Sequence, residues 1–398
     1  MRILFVNKAS LKHEGGAEIR MKEIGKRLCS LGHDVVVLAA KTNINEPLFE
    51  LYEGIKLHHK KVLPDAFIRL FPAPHYFSLA MANAFLMFHL YFLLKKERFD
   101  LIREDISPFP PSGFLAFVTL PASKRIAVVH NLAKTLKDWF RFYGPFYGLA
   151  GYFMNTLLRS GKLKYDRIIC DGKWFADELK QYPKIAHKVD YIPNGVDLKQ
   201  FSKKKIRDPR SKPTHLLSVG RLVEVKGHRY LIEALSLLKT DYPLVRLDIL
   251  GDGPLRSSLK QLVKNLHLQD TIQFRPPVPY EEMPKVYHEY DLFVMPSLFE
   301  GLPVSLIEAM ASRLPVVATY IPGILGIADN RSVTLAASQN SQDLADKLGW
   351  AFEHPNEIAK QAEAAYHVVQ KYDWDIITYL EIRNFFDDRH HQPNPFNE

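Results

Sequence analysis

At 398 residues, with 47% apolar and 24% charged side chains, the chain is long enough for two or three domains and too ordinary in composition to be disordered, collagen-like or a coiled coil. Two cysteines and no Cys-x-x-Cys pair argue against a disulfide framework or a structural zinc site, and Cys29 and Cys170, each in an apolar stretch, read as reduced core residues of a cytosolic protein. The net charge of +9 is uneven: residues 1–200 hold 30 Lys and Arg against 19 Asp and Glu, residues 201–398 hold 23 against 25, so an anionic partner (phosphates, anionic lipid or nucleic acid) is expected on the first half.

Met1-Arg2 is followed by only four apolar residues, Ile3 to Val6, too few for the apolar region of a secretion signal. The same run, Arg2 to Val6, predicts a buried strand. A polar loop ends in Gly15-Gly16. Ala17, Met21, Ile24, Leu28 and Leu31 then recur at helical spacing, and Gly32 closes that helix. Val35 to Ala39 is the next strand, and this β-α-β start predicts a parallel, doubly wound sheet. Tyr76 to Leu94 is an apolar stretch closed by Lys95-Lys96. Its length would permit a membrane span, but its place inside one domain favours a buried helix, with contact to a membrane surface as the second reading. Ile126 to Val129 reads as a strand that ends at His130.

The alternation returns in the second half. Strands are expected at Leu216–Val219, Val245–Leu250, Thr271–Phe274, Leu292–Met295 and Pro315–Ala318. Helices are expected over His228–Lys239, after Gly251-Asp252-Gly253-Pro254 with Pro254 in the first turn, and up to Ala311. Between the halves, Leu198 to Thr214 is a charged, proline-containing linker. Asn356 to Phe386 is helical and amphipathic in places, and residues from His390 onward read as frayed. Two such α/β domains on a short linker would face each other across a cleft, with ligands outside the C-terminal strand ends.

Two stretches can carry chemistry. The loop Gly220 to Gly227 follows a strand and precedes a helix, whose terminal N–H groups favour an anion. Arg221 adds a bidentate fork there and Lys226 a point charge, both suited to phosphate oxygens. Further on, Pro296-Ser297 ends a strand, a loop runs to Pro303, and Pro303 can start a helix. Glu300 then lies in the loop and Glu308 about one and a half turns inside the helix. Two carboxylates so placed can grip two ends of one ligand as acceptors for sugar or ribose hydroxyls.

Together these features resemble the family 4 glycosyltransferases, retaining enzymes of the GT-B fold. The matching stretches are Gly-Gly-Ala-Glu at 15–18, Pro-Asn-Gly-Val-Asp at 193–197, Val-Gly-Arg-Leu with Lys-Gly at 219–227, and Gly-Asp-Gly-Pro at 251–254. The most specific is Pro-Ser-Leu-Phe-Glu-Gly with Glu-Ala-Met-Ala at 296–311; Tyr372-Asp373-Trp374 looks like the family's tail motif. The resemblance implies an α/β chain with two Rossmann-like, doubly wound domains. Residues 1–195 would be the acceptor-side domain, 196–371 the nucleotide-sugar donor domain, and 372–398 a tail that packs back on the first domain.

The activity so implied is sugar transfer from a nucleotide-sugar donor to a glycan or lipid-linked acceptor, with retention, in polysaccharide biosynthesis. No cofactor or metal is expected. The protein would be cytoplasmic, with peripheral contact to an anionic membrane. Position by position, Arg221 and Lys226 would hold the donor diphosphate, Glu300 would touch the donor sugar, and Glu308 the ribose. Leu302 and Pro303 would lie against sugar and phosphates. Gly16 would let its loop approach the diphosphate, and His130, with Glu300 a catalytic residue, would contact the donor sugar near the reacting centre and need not be a general base. The chain departs from the family at Tyr320 to Gly326, where an expected acidic residue is missing, and at Arg275-Pro276-Pro277, near the expected nucleotide base.

The rival readings fit less well. A nicotinamide dehydrogenase would need a third glycine after Gly251 and Gly253, and an acid where Lys41 follows the second strand. A sugar-nucleotide epimerase or phosphorylase shares the fold. A non-catalytic nucleotide-sugar or glycan binding subunit would not need Arg221, Lys226 and both glutamates. No nucleic-acid module is present. Asp373-Trp374-Asp375 resembles a metal-binding Asp-x-Asp but follows a helical stretch instead of a strand.

Overall fold

A computed structural model describes residues 1–7, 11, 15–40, 47–60, 89–106, 124–130, 136–202, 213–386 and 396. The chain divides into two units, Met1–Asn194 with Trp374–Glu398, and Gly195–Asp373. The first unit is built on eight strands: β1 (Arg2–Asn7), β2 (Asp34–Ala40), β3 (Phe49–Tyr52), β4 (Ile55–Lys60), β5 (Leu101–Ile106), β6 (Lys124–Val129), β7 (Arg167–Cys170) and β8 (Val189–Tyr191). Their order is β3-β4-β2-β1-β5-β6-β7-β8, and β3 runs antiparallel to β4 at one edge. Ile3, Leu4 and Phe5 of β1 and Ile126, Ala127 and Val128 of β6 are fully buried. Continuous apolar runs of this kind suit parallel strands covered on both faces. The helix Gly16–Ser30 turns Met21, Ile24 and Leu28 inward, and Gly32 ends it at φ 83°. Cys170 is buried, but Cys29 is only partly so, a correction to its reading as a core residue.

Of the stretch Tyr76 to Leu94, residues 76–88 lie outside the described residues. Residues 89–96 are helical, with Leu90 in the core and Tyr91 and Phe92 exposed. Residues 203–212 of the expected linker also lie outside, as do 390–395 and 397–398 of the end expected to be frayed; Phe396 is buried against Tyr191, a correction to that reading. No helix among the described residues is long and apolar enough to cross a membrane.

The second unit carries six strands: β9 (His215–Val219), β10 (Arg246–Leu250), β11 (Ile272–Arg275), β12 (Leu292–Met295), β13 (Val316–Thr319) and β14 (Thr334–Ala336). All pair parallel, in the order β11-β10-β9-β12-β13-β14. Each sheet reverses its winding once, between β1 and β5 in the first and between β9 and β12 in the second. Ligands of such sheets bind at that reversal, outside the carboxyl ends of the strands. One detail differs from expectation: Pro254 lies in the turn before the helix Arg256–Asn265 and not within its first turn.

The helix Trp374–Phe386 belongs to the first unit. Trp374 and Ile377 are fully buried, Leu380 and Phe385 nearly so, and Glu381 beside them has no exposure at all. Ile376, expected on the same inward face, is exposed. Where the chain leaves and re-enters the second unit, Val196 N–H donates to the Tyr372 carbonyl at 2.8 Å. Trp374 is the largest fully buried side chain among the described residues. Trp374→Ala should lower the unfolding free energy of the first unit by about 3–5 kcal/mol, read as an earlier transition in urea; an unchanged midpoint would mean that the helix is not docked in solution.

Candidate functional site

In the second unit the two sheet-reversal loops meet. The loop after β9 carries Arg221 and Lys226, and the loop after β12 carries Ser297 and Glu300. Leu298 N–H donates to the Val225 carbonyl at 2.8 Å and joins them. Gly227, in the left-handed region at φ 65°, lets them close up, since a Cβ there would stand 2.0 Å from the Pro296 carbonyl oxygen. Lys226 Nζ donates to Glu300 Oε1 at 2.7 Å, and Ser297 Oγ donates to the same oxygen at 2.6 Å. Glu300 is nearly buried. Behind it lies Gly323, where a Cβ would meet the Glu300 carbonyl oxygen at 2.3 Å. That backbone packing occupies the Tyr320–Gly326 stretch in which an acidic residue is missing. Arg221 is exposed and has no ion-pair partner among the described residues. The loop pair therefore holds one cation already neutralised and one open to an arriving anion.

Leu302 and Pro303 are buried, and Pro303 precedes the helix Val304–Ala311 as its cap. Glu308, fifth in that helix, is buried and accepts from the Tyr287 hydroxyl at 2.8 Å. Burial pushes its carboxyl up to about 7, with the Tyr287 bond pulling only part of the way back.

In the first unit Gly16 opens the helix Gly16–Ser30, and neither it nor Gly15 takes a positive φ. The backbone therefore does not itself require glycine there. His130 follows β6 directly. Its Nδ1 lies 2.7 Å from Asp171 Oδ2 and its Nε2 lies 3.5 Å from Asp105 Oδ1. Burial alone would lower the imidazole pKa. The charges of Asp171 and Asp105 and their hydrogen bonds more than offset that and raise it to about 9. His130 is thus an imidazolium at neutral pH.

Asp105, Asp171, Ser297 and Tyr287 were not among the candidates read from the sequence. Asp171 follows β7 as His130 follows β6, and β6 and β7 are neighbours. Asp105 had a visible signal: Arg103-Glu104-Asp105 puts three consecutive charges in a central parallel strand, and all three are buried.

Comparison with known proteins shows the family and the fold. The family model described as Glycosyltransferase Family 4 matches residues 14–200, and that described as Glycosyl transferases group 1 matches residues 199–368. WcaL of Salmonella typhimurium, provisionally named a colanic acid biosynthesis glycosyltransferase, is 29% identical over 254 residues, 61% of this chain. The match spans 60% of that relative's length. Among solved structures, the sucrose-phosphate synthase of Thermosynechococcus elongatus superposes with a TM-score of 0.80 at 20% identity, over 96% of this chain and 97% of that one. HepE of Anabaena, solved in complex with UDP-glucose, gives 0.71 at 18% identity, over 96% and 98%. The fold is GT-B, and the chain belongs to the family 4 glycosyltransferases.

The charged histidine has a signature in stability. Its folded pKa, about 9, lies above the free value of 6.5, so its contribution is complete below 6.5 and is lost as pH rises through 9. Glu308, raised to about 7 from 4.5, loses stability in the lower window instead. The thermal midpoint should therefore fall on both sides of neutrality as pH rises, and His130→Gln should flatten only the upper part. An upper part equally steep in the variant would show that His130 is not the group that titrates.

Proposed function

We propose that this chain transfers a sugar from a nucleoside diphosphate sugar to a hydroxyl of a glycan or lipid-linked acceptor, with retention of anomeric configuration. The observation that carries the reading is the Lys226–Glu300 pair on two touching strand-end loops, beside the exposed Arg221. A diphosphate entering there would compete with Glu300 for the Lys226 ammonium, and Arg221 would add a bidentate grip. Glu300, released from part of its bond, would accept from hydroxyls of the donor sugar. Glu308 would do the same for the ribose, with Tyr287 fixing its orientation. Leu302 and Pro303 would line the sugar side, and Gly16 and His130 keep the roles that the family resemblance gives them.

The chemical step follows from these charges. As the bond from the sugar to the diphosphate breaks, negative charge grows on the leaving phosphate, where the two cations stabilise it more than in the ground state. His130, whose pKa Asp171 and Asp105 raise to about 9, need not take the acceptor's proton. The departing phosphate oxygen takes it on the same face of the sugar, which gives retention. Both cations are supplied by side chains, so donor binding proceeds without a metal. The UDP-glucose held by HepE, a protein of the same fold, supports a nucleotide-sugar donor here.

A peripheral contact with an anionic membrane fits the first unit. On the helix Leu136–Arg159, Leu149, Tyr152 and Phe153 are exposed at 57%, 37% and 58%. The spacing i, i+3, i+4 puts them on one face, and Lys137 and Lys162 stand exposed toward the two ends of the helix. The first half also carries the chain's excess positive charge. An apolar face with basic flanks suits an anionic lipid surface.

Three outcomes test these readings. A nucleoside diphosphate sugar should raise the thermal midpoint in the presence of a chelator; a shift that needs added divalent metal refutes metal-free binding. Glu300→Ala should cut turnover roughly 10²–10³-fold with the fold intact, and unchanged turnover removes its role. Anionic liposomes should co-sediment the protein at low salt and release it as salt rises, while Leu149, Tyr152 and Phe153 changed together to Ser should abolish the binding. Equal sedimentation of that variant places the contact elsewhere.

A further inference from the structure

The first unit buries six charged side chains in one connected string, three of each sign. Glu381, on the helix Trp374–Phe386, and Arg20 are both at 0% exposure. Arg20 spends two donors on one oxygen, Glu381 Oε1, and its Nη1 donates to the Pro193 carbonyl at 2.6 Å and to Asn194 Oδ1 at 3.1 Å. The other oxygen, Glu381 Oε2, faces Arg103 Nε at 3.6 Å. Arg103 Nη2 in turn lies 3.3 Å from Asp105 Oδ1. That same atom, Asp105 Oδ1, is the one 3.5 Å from His130 Nε2. Asp171 closes the string on the far side of the imidazole.

One carboxylate oxygen is therefore shared by two cations, and a second carboxylate competes for one of them. Arg103 is held loosely. It is fully buried, lies over the Phe5 ring at 4.9 Å, and none of its three guanidinium nitrogens has a hydrogen-bond partner among the described residues. A buried charge held by ion-pair attraction alone moves toward whichever carboxylate remains. The more firmly Glu381 holds Arg103, the more of Asp105 is left for His130.

We infer that Glu381 is a positioning residue for His130: by engaging Arg103 it frees Asp105 to hold the imidazolium, so that the helix Trp374–Phe386 helps to set the charge of that ring. The inference rests on the assignment of His130 to the donor site, but the string itself is independent of any substrate. Among the described residues the groups that face His130 are Asp105 from β5 and Asp171 after β7; Arg103, Arg20 and Glu381 act through Asp105. The arrangement also gives a reason for an otherwise costly feature, a carboxylate on the returning helix with no solvent exposure.

The test is the titration of the His130 ring by NMR in the full-length protein, assigned with His130→Gln, with no substrate present. Glu381→Gln keeps an acceptor for Arg20 but removes the charge that engages Arg103. Arg103 should then draw Asp105 away, and the His130 pKa should fall by about one unit or more. Arg103→Gln removes the competitor, so the His130 pKa should stay level or rise. Simple loosening of the fold would instead move both variants down toward the free value, which makes the sign of the second variant decisive. The pair of results overturns the inference if Glu381→Gln leaves the titration unmoved, or if Arg103→Gln lowers it as much as Glu381→Gln does. Either variant that folds decides, with His228 of the second unit as an internal reference that should not move. In turnover assays with a working donor, Glu381→Gln should shift the alkaline limb of kcat downward by the same amount and leave the donor KM within about twofold. Loss of all turnover in every protein, wild type included, would count against the proposed activity and leave the ring titration standing.

Discussion

A charge removed from water must find an opposite charge or a set of hydrogen bonds, and in the first unit that requirement ties the two ends of the chain together. Arg20 and Glu381 are 361 positions apart, both are sealed from solvent, and neither can be buried without the other. The helix Trp374–Phe386 is held by apolar packing of Trp374, Ile377, Leu380 and Phe385, but apolar packing tolerates sliding. The Arg20–Glu381 pair does not, because a one-residue rotation would leave two charges unpaired in the core. The direction of the helix Trp374–Phe386 and the orientation of the Pro193-Asn194 turn follow from that one pairing, and the second oxygen of Glu381 faces Arg103.

The second unit solves a different problem with similar parts. Its loops must hold cations close together before any anion arrives. Glu300 neutralises Lys226 in the resting state, and Ser297 keeps the carboxylate aimed. On the proposed reading Glu300 would be both a stand-in for the diphosphate and, once displaced by it, an acceptor for the sugar. Glycine makes the geometry possible, since the backbone of the β12 loop approaches Gly227 more closely than any Cβ would allow. The parallel sheet supplies the rest by bringing the ends of β9 and β12 side by side at the reversal of its winding.

How far the sequence discloses this depends on the residue. β1, β9 and β12 show as short apolar runs because both faces of a central parallel strand are buried. β5 does not, since Arg103, Glu104 and Asp105 fill half of it; what makes those charges tolerable lies on Arg20, Tyr165 and Glu381, far away in the chain. β3 and β4 are masked in the same way by Glu50, Lys56, His58 and His59. In the second unit the loop chemistry is local: Arg221 to Gly227 and Glu300 to Glu308 lie within short windows, so spacing alone suggests them. Asp171 is 41 residues from His130 and becomes its partner only through the pairing of β6 with β7. Spacing along the chain therefore points to loops that bring charges together, as Lys226 and Glu300 are, but misses the groups that set the charge of a side chain on another strand.

That charge matters for where a proton can go. A neutral histidine at the end of β6 would be the natural base for an acceptor hydroxyl, and the two carboxylates beside it could be mistaken for the partners that make it one. Their effect is the reverse. One carboxylate on one ring nitrogen leaves the other nitrogen free to accept; carboxylates at both nitrogens favour a proton on each. His130 commits its Nδ1 to Asp171 and turns its Nε2 toward Asp105 at 3.5 Å, so both carboxylates favour the positively charged ring. The proposed transfer with retention would not need a base there, since the phosphate leaving from the same face becomes basic as the bond breaks. A strong base nearby would instead compete for the acceptor proton before the sugar has begun to depart.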